Sequence, residues 1–191
     1  MISHARKCAN LVQDKLGPDY IVSSFVKPGA QMSEITTTAS EEIKSLKSDD
    51  VIVWGGIKDI GKNNTKEAMK YVLKFVNENK DKNIVLINSP QRHDLIPTSC
   101  VNKEVLNCNT QLGKVTRLQP NVKLFEIKLV RNQLTRHGLH LNPKGKKLIS
   151  QELAMIVDQF FKQTKKIPYP HSKEIHLFST KQFYNPKAKH C

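Results

Sequence analysis

Four stretches bounded by Gly, Pro or Asn hold the residue types that could do chemistry. They are "PGA" at 28–30, "WGGIKD" at 54–59, "NSPQRHD" at 88–94 and "TRHGLHLNPKGKKL" at 135–148. The last is the richest, with His137 and His140 three apart on a Gly-containing turn just before a helical pattern. A histidine held on such a turn is the usual general base near neutral pH, because its ordinary titration lies close to 7. The plainer reading of the same residues is a helix entry in a basic protein, with Pro143 in the first turn. Which applies depends on what the surrounding elements bring beside His140.

Those elements are legible as alternating apolar runs and helical periods. "YIVSSFV" (20–26), "DVIVWGG" (50–56), "NIVLINSP" (83–90) and "VKLFEI" (122–127) are short, β-branched and closed by turn residues. Runs this apolar predict strands covered on both faces, as in a parallel sheet. Between them, 4–16 places Ala5, Cys8, Ala9, Val12 and Leu16 on one helical face before "GPD" stops it. Residues 65–80 repeat Ala68, Val72, Phe75 and Val76, with Thr65 or Asn64 as the cap. Residues 98–118 align Val101, Val105, Cys108, Leu112 and Val115; 143–163 align Leu148, Ile149, Leu153, Ile156, Val157 and Phe160. Residues 31–47 read as helix in part. Strand alternating with helix predicts an α/β three-layer sandwich, and right-handed crossovers then bring all four chemistry-bearing loops to one sheet edge.

In order and spacing, "ISHARKCA" (2–9), "VKPGA" (26–30), "GGIKD" (55–59) and "LHLNPKGK" (139–146) resemble the SGNH/GDSL hydrolase family over about residues 2–160. The flavour is that of degenerate SGNH-like domains, some of them carried by retrotransposons. "GLHLNPKGKKLIS" is the most specific piece. The resemblance implies a flavodoxin-like three-layer fold and a serine esterase or acyl hydrolase that uses no metal and no cofactor. It makes Ser3 the nucleophile, which needs a base to take its proton, and His140 that base. Ser3 also suits a helix N-cap. Gly29 matches the glycine whose backbone N–H helps bind the oxyanion, although a turn needing positive φ would equally select it.

Three departures from the family pattern follow. Lys58 stands where the family has an oxyanion-binding Asn, and a long flexible stem loses more entropy when fixed than a compact amide. His137 stands where the family has the Asp of Asp-x-x-His, and it cannot supply a negative charge to orient the base. Only Met1 and Ile2 precede Ser3, so the family's first strand is missing or truncated. That strand belongs between those at 20–26 and 50–56. An open gap there would leave two ladders of unpaired backbone groups, at about 1–3 kcal/mol each, so the neighbours close up, another segment fills in, or the chain is a truncated copy; truncation is the expectation. Asp59 reads as loop-ordering, and His93 and Asp94 as a solvated loop near the site.

Across all 191 residues, 31 Lys and Arg against 17 Asp and Glu leave a formal +14. Such a surface attracts nucleic acid, acidic proteins or anionic lipid, and is equally compatible with a plain solvated lysine face. The four cysteines form no CxxC pair, which excludes zinc-ribbon and thioredoxin-type motifs. The start lacks the apolar core of a signal peptide, and no run is long enough to span a bilayer. An intracellular setting, cytoplasmic or nuclear, is expected. The expected organisation is an SGNH-like domain over 1–164 and a basic C-terminal tail over 165–191. In that tail, lysines interspersed with Tyr169, Phe178, Phe183 and Tyr184 could hold single-stranded nucleic acid by charge and stacking. Composition favours a loosely packed extension, with "EIHLFST" as a strand the alternative. Two function classes follow: an SGNH-type ester hydrolase, with activity degraded or lost through these departures, or a non-catalytic binding module with nucleic acid as partner.

Overall fold

The structure is a computed structural model that describes residues 7–45, 50–164 and 173–181. Strands β1 (Tyr20–Pro28), β2 (Asp50–Trp54), β3 (Asn83–Ile87), β4 (Val122–Phe125) and β5 (Lys173–Lys181) form one sheet in the order β1-β5-β2-β3-β4. Every pairing is parallel. The helices are α1 (Cys8–Leu16), α2 (Met32–Ser45), α3 (Ile57–Gly61), α4 (Thr65–Glu78), α5 (Cys100–Leu118) and α6 (Pro143–Thr164). Among the described residues the four strands and four helices expected from periodicity all form, with Ala5 of the first helix lying outside them; the ambiguous 31–47 stretch is helical over Met32–Ser45, and α3 is an added short turn of helix.

Two cores explain the layering. On one face, Val51, Val53, Ile84, Leu86 and Phe178 pack beneath α2, α4 and α5. On the other, Ile52, Trp54, Val85, Ile87, Ile175 and Leu177 pack beneath α1 and α6. Alternate residues of one strand feed opposite cores, which is why these strands read as unbroken apolar runs. The helical stripes bury as their periods predict: Val72, Phe75 and Val76 of α4, and Ile149, Leu153 and Val157 of α6, are almost fully enclosed.

The central position of the sheet is the chief finding. Strand β5, from the segment expected as tail, lies between β1 and β2, where the resemblance left a strand missing. Its register runs from Tyr20 opposite Lys173 to Pro28 opposite Lys181 on one side, and from Asp50 opposite Ile175 to Trp54 opposite Ser179 on the other. Both backbone ladders are thereby satisfied, removing the cost that an open slot would carry. Ile175, Leu177 and Phe178 are at most 1% exposed, and burying side chains of this size stabilises by about 1.5–3 kcal/mol each. Phe178 stacks on Phe25 with centroids 4.9 Å apart. The strand alternative for "EIHLFST" is the one taken, and residues 173–181 are part of the domain's sheet rather than an extension beyond it. Ile175 to Ser179 are all buried, which marks a strand covered on both faces, and lysine-rich flanks obscure it in composition. Tyr169, Phe183 and Tyr184 lie outside the described residues.

Candidate active site

With all strands parallel, the loops that follow β1, β2, β3 and β4 emerge at one edge. The turn bearing His137 and His140 is the most elaborately braced. Leu134 bridges Leu141 in antiparallel pairing, the Thr135 N–H donates to the His140 carbonyl at 2.6 Å, and the Gly138 N–H donates to the Thr135 carbonyl at 2.8 Å. Gly138 has φ 69°, and a Cβ there would meet the His93 carbonyl carbon at 2.9 Å and the Asp94 nitrogen at 3.0 Å. Glycine is therefore required twice over, by backbone conformation and by close approach. The His93 N–H donates to the Gly138 carbonyl at 3.2 Å, clamping this turn onto the loop after β3.

The helix entry explains the rest of the "LHLNPKGK" signature. The Asn142 side-chain oxygen accepts from the Gly145 N–H at 3.0 Å, an N-cap of α6, with Pro143 at the first helical position. The Asn142 amide nitrogen donates to the carbonyls of Asn132 at 2.7 Å and Leu134 at 3.0 Å. A Cβ on Gly145 would fall 2.2 Å from the Gln133 carbonyl oxygen, so the helix start lies directly against the preceding turn. His140 is partly buried and His137 exposed. Burial pushes the His140 pKa below its ordinary value, the positive charges of His137 and Lys146 push the same way, and Asp94 opposes them. At neutral pH His140 is consequently the free base, the form that can accept a proton.

The opposite flank is built around Asp59. Gly29 follows β1 with φ 65°, turning the chain into α2. The buried Asp59 carboxylate accepts from the Met32 N–H at 2.9 Å and the Gln31 amide at 3.4 Å, while the Glu34 carboxylate accepts from the Gln31 N–H at 2.8 Å. Carboxylates at the start of α2 satisfy otherwise unpartnered helix N–H groups and complement the helix dipole. Burial raises the Asp59 pKa, and the hydrogen bonds from Met32 and Gln31 oppose that rise. Asp59 thus ties the Gly29 turn to α3, whose neighbouring Lys58 is partly buried. Gly29, Lys58 and His140 stand at the same sheet edge, on the turn after β1, in α3 and on the turn before α6. Ser3 lies outside the described residues.

The fold is similar to those of three solved structures. A family 3 carbohydrate esterase from Clostridium thermocellum matches with TM-score 0.53 at 17% identity, covering 72% of this chain and 70% of its own. The fold is that of the SGNH hydrolases. A family 3 carbohydrate esterase from Talaromyces cellulolyticus matches this SGNH-like domain with TM-score 0.56 at 16% identity, covering 72% of this chain and 70% of its own. A Streptococcus pneumonia protein provisionally assigned as a platelet activating factor matches with TM-score 0.57 at 13% identity, covering 81% of this chain and 92% of its own. No protein-family model and no curated protein matches the sequence.

Several residues that organise the edge of the SGNH-like domain carry no catalytic signature in sequence. Asn102, buried in α5, accepts from the Arg92 N–H at 2.8 Å and donates to the Arg92 and Ile96 carbonyls, both at 3.1 Å. Asn109 accepts from the Ser89 N–H at 3.0 Å and donates to the Ser89 carbonyl at 2.9 Å. Asn88 accepts from the Ile127 N–H at 2.7 Å. Buried asparagines at helical positions, where propensity disfavours them, are the one sequence signal that could have flagged Asn102. Among the described residues no group of three His, Cys, Asp or Glu side chains is placed to hold a metal. None of the described helices is long and apolar enough to cross a membrane.

Proposed function

We propose that this SGNH-like domain is an acyl-ester hydrolase of degraded activity, acting on small esters with Ser3 as nucleophile and His140 as base. In this reading the Ser3 hydroxyl attacks the ester carbonyl while His140 takes its proton. The Gly29 N–H and the Lys58 ammonium face the developing oxyanion, and collapse expels the alcohol with the proton returned by His140. Water then repeats the sequence to free the acid. The observation that carries this reading is the braced, partly buried His140 at the loop edge, held in its basic form. Degradation is supported by Lys58 in the amide's place, by an exposed His137 in the carboxylate's place, and by β5 in the strand position that would have carried Ser3. An intracellular, cytoplasmic or nuclear, setting belongs to the same reading.

Slow p-nitrophenyl acetate turnover is expected, falling to background in both Ser3→Ala and His140→Ala. Turnover that survives both substitutions would sink the dyad. Lys58→Asn should raise the rate if oxyanion binding limits it.

The formal charge of +14 favours a second reading, a non-catalytic module that binds nucleic acid through released counterions. Labelled single-stranded RNA should then bind weakly, with affinity dropping steeply between two salt concentrations. Binding indifferent to salt would leave the charge as a solubility feature. Removing residues 165–191 is no clean test of that reading, because β5 leaves with them and Phe178 stacks in the core rather than on a base.

A further inference from the structure

His137 occupies the position from which the resemblance would draw a carboxylate, and it is exposed. A base that becomes an imidazolium during acyl transfer is best served by a fixed negative charge beside it, which orients the ring and stabilises the cation without itself taking the proton. The structure offers such a charge from a different loop. The His93–Asp94 backbone lies directly against Gly138, two residues before His140, with a hydrogen bond of 3.2 Å from the His93 N–H to the Gly138 carbonyl. The Asp94 side chain is only 17% exposed. Its carboxylate is gripped by the Arg92 guanidinium, which donates from Nε to Oδ1 at 3.0 Å and from Nη2 to Oδ2 at 2.5 Å. Arg92 is held in turn through its backbone by Asn102 of α5. The acid is therefore mounted on a frame that is clamped to the His140 turn through Gly138 and held from α5 through Arg92, with its orientation set before any substrate arrives. A carboxylate has about four lone-pair directions, so an Arg fork leaves capacity for a further partner.

We propose that Asp94 supplies, from the loop after β3, the negative charge that His137 cannot supply, and so serves as the positioning residue for His140. This rests on His140 being the base of the proposed hydrolysis. The direction in which Asp94 acts on His140 agrees with the geometry: it favours the protonated ring, opposing burial and the neighbouring cations.

The test is an NMR titration of the His140 ring in the full chain, which reads the coupling whether or not the protein hydrolyses esters. Asp94→Asn should move the His140 midpoint to lower pH, and Asp94→Glu should restore it towards the parent. Arg92→Gln, which removes the competing cation, should move it upward. His137→Gln should not lower it. An unchanged midpoint in both Asp94→Asn and Arg92→Gln, with amide spectra showing an intact fold, would overturn the proposal. Where ester turnover is measurable, Asp94→Asn should reduce kcat about tenfold or more at little cost in KM. Absent turnover with the titration shift present would remove the hydrolase reading and leave the Asp94–His140 coupling standing.

Discussion

The α6 entry and the central strand β5 are opposite answers to the problem of supporting one site. The entry holds its base with contacts drawn mainly from residues 130–145, reinforced by the loop after β3. The nucleophile's expected support is a strand, which is stable only when neighbours pair with both of its edges. Here that position is filled from the far end of the chain, by residues some 150 positions after the β1 residues they pair with, as Tyr20 with Lys173. A local device can persist intact while the wider machinery changes, because its partners travel with it. A central strand position cannot stay open, but a segment of suitable length and apolarity can fill it from anywhere in the chain.

The largest effect should come from attacking the non-local half. Phe178→Ala removes a side chain that is 1% exposed and stacked on Phe25. A loss of about 3–5 kcal/mol in urea unfolding is expected, and a loss under about 1 kcal/mol would show that β5 does not hold the centre of the sheet. Next comes Gly145→Ala, which would drive a Cβ to 2.2 Å from the Gln133 carbonyl oxygen. Destabilisation of about 2–3 kcal/mol is expected, together with shifted NMR signals for His140. Signals unmoved there would separate the helix start from the base. Asn142→Ala is milder. It removes the α6 cap and two side-chain donations, for about 1–2 kcal/mol, and should broaden the His140 turn more than it weakens the sheet.

The smallest effect is a pH dependence that reports on both regions. His176 sits in the middle of β5, 4% exposed, tilted beside the stacked Phe25–Phe178 pair, with neither ring nitrogen hydrogen-bonded to a described residue. Its Nε2 lies 3.9 Å from the Glu174 carboxylate. Burial lowers its pKa, while Glu174 and Glu42 oppose the shift. The His140 pKa is also lowered, again first by burial. A histidine whose folded pKa lies below its unfolded value binds fewer protons in the folded state. The stability it contributes is complete above the unfolded value of 6.5 and is lost as pH falls through that value towards the folded one. Unfolding free energy should thus decline below about pH 6.5, and His176→Leu should flatten part of that decline. An acid limb equally steep in the variant would assign it to carboxylates elsewhere.

The sequence by itself determined the local features. Val72, Phe75 and Val76 recur at the helical period, and that period is a property of the backbone wherever it lies. Pro143 in the first turn of α6 was legible for the same reason, whereas the Asn142 cap and the close approach of Gly145 to Gln133 emerge only from the structure. Four of the five strands announced themselves as apolar runs between turn residues. What only the tertiary structure decided was which segment takes the middle of the sheet. The run 174–180 is short and embedded in lysine-rich sequence, and strand order depends on pairing between distant segments, which no local pattern encodes. The Asp94 loop was equally hidden, since a charged pair in a polar stretch looks solvated until Asn102 and Gly138 close around it. Local hydrogen bonds and periodicity are written into neighbouring residues, whereas occupancy of a shared slot is a competition settled by burial and ladder satisfaction across the whole domain.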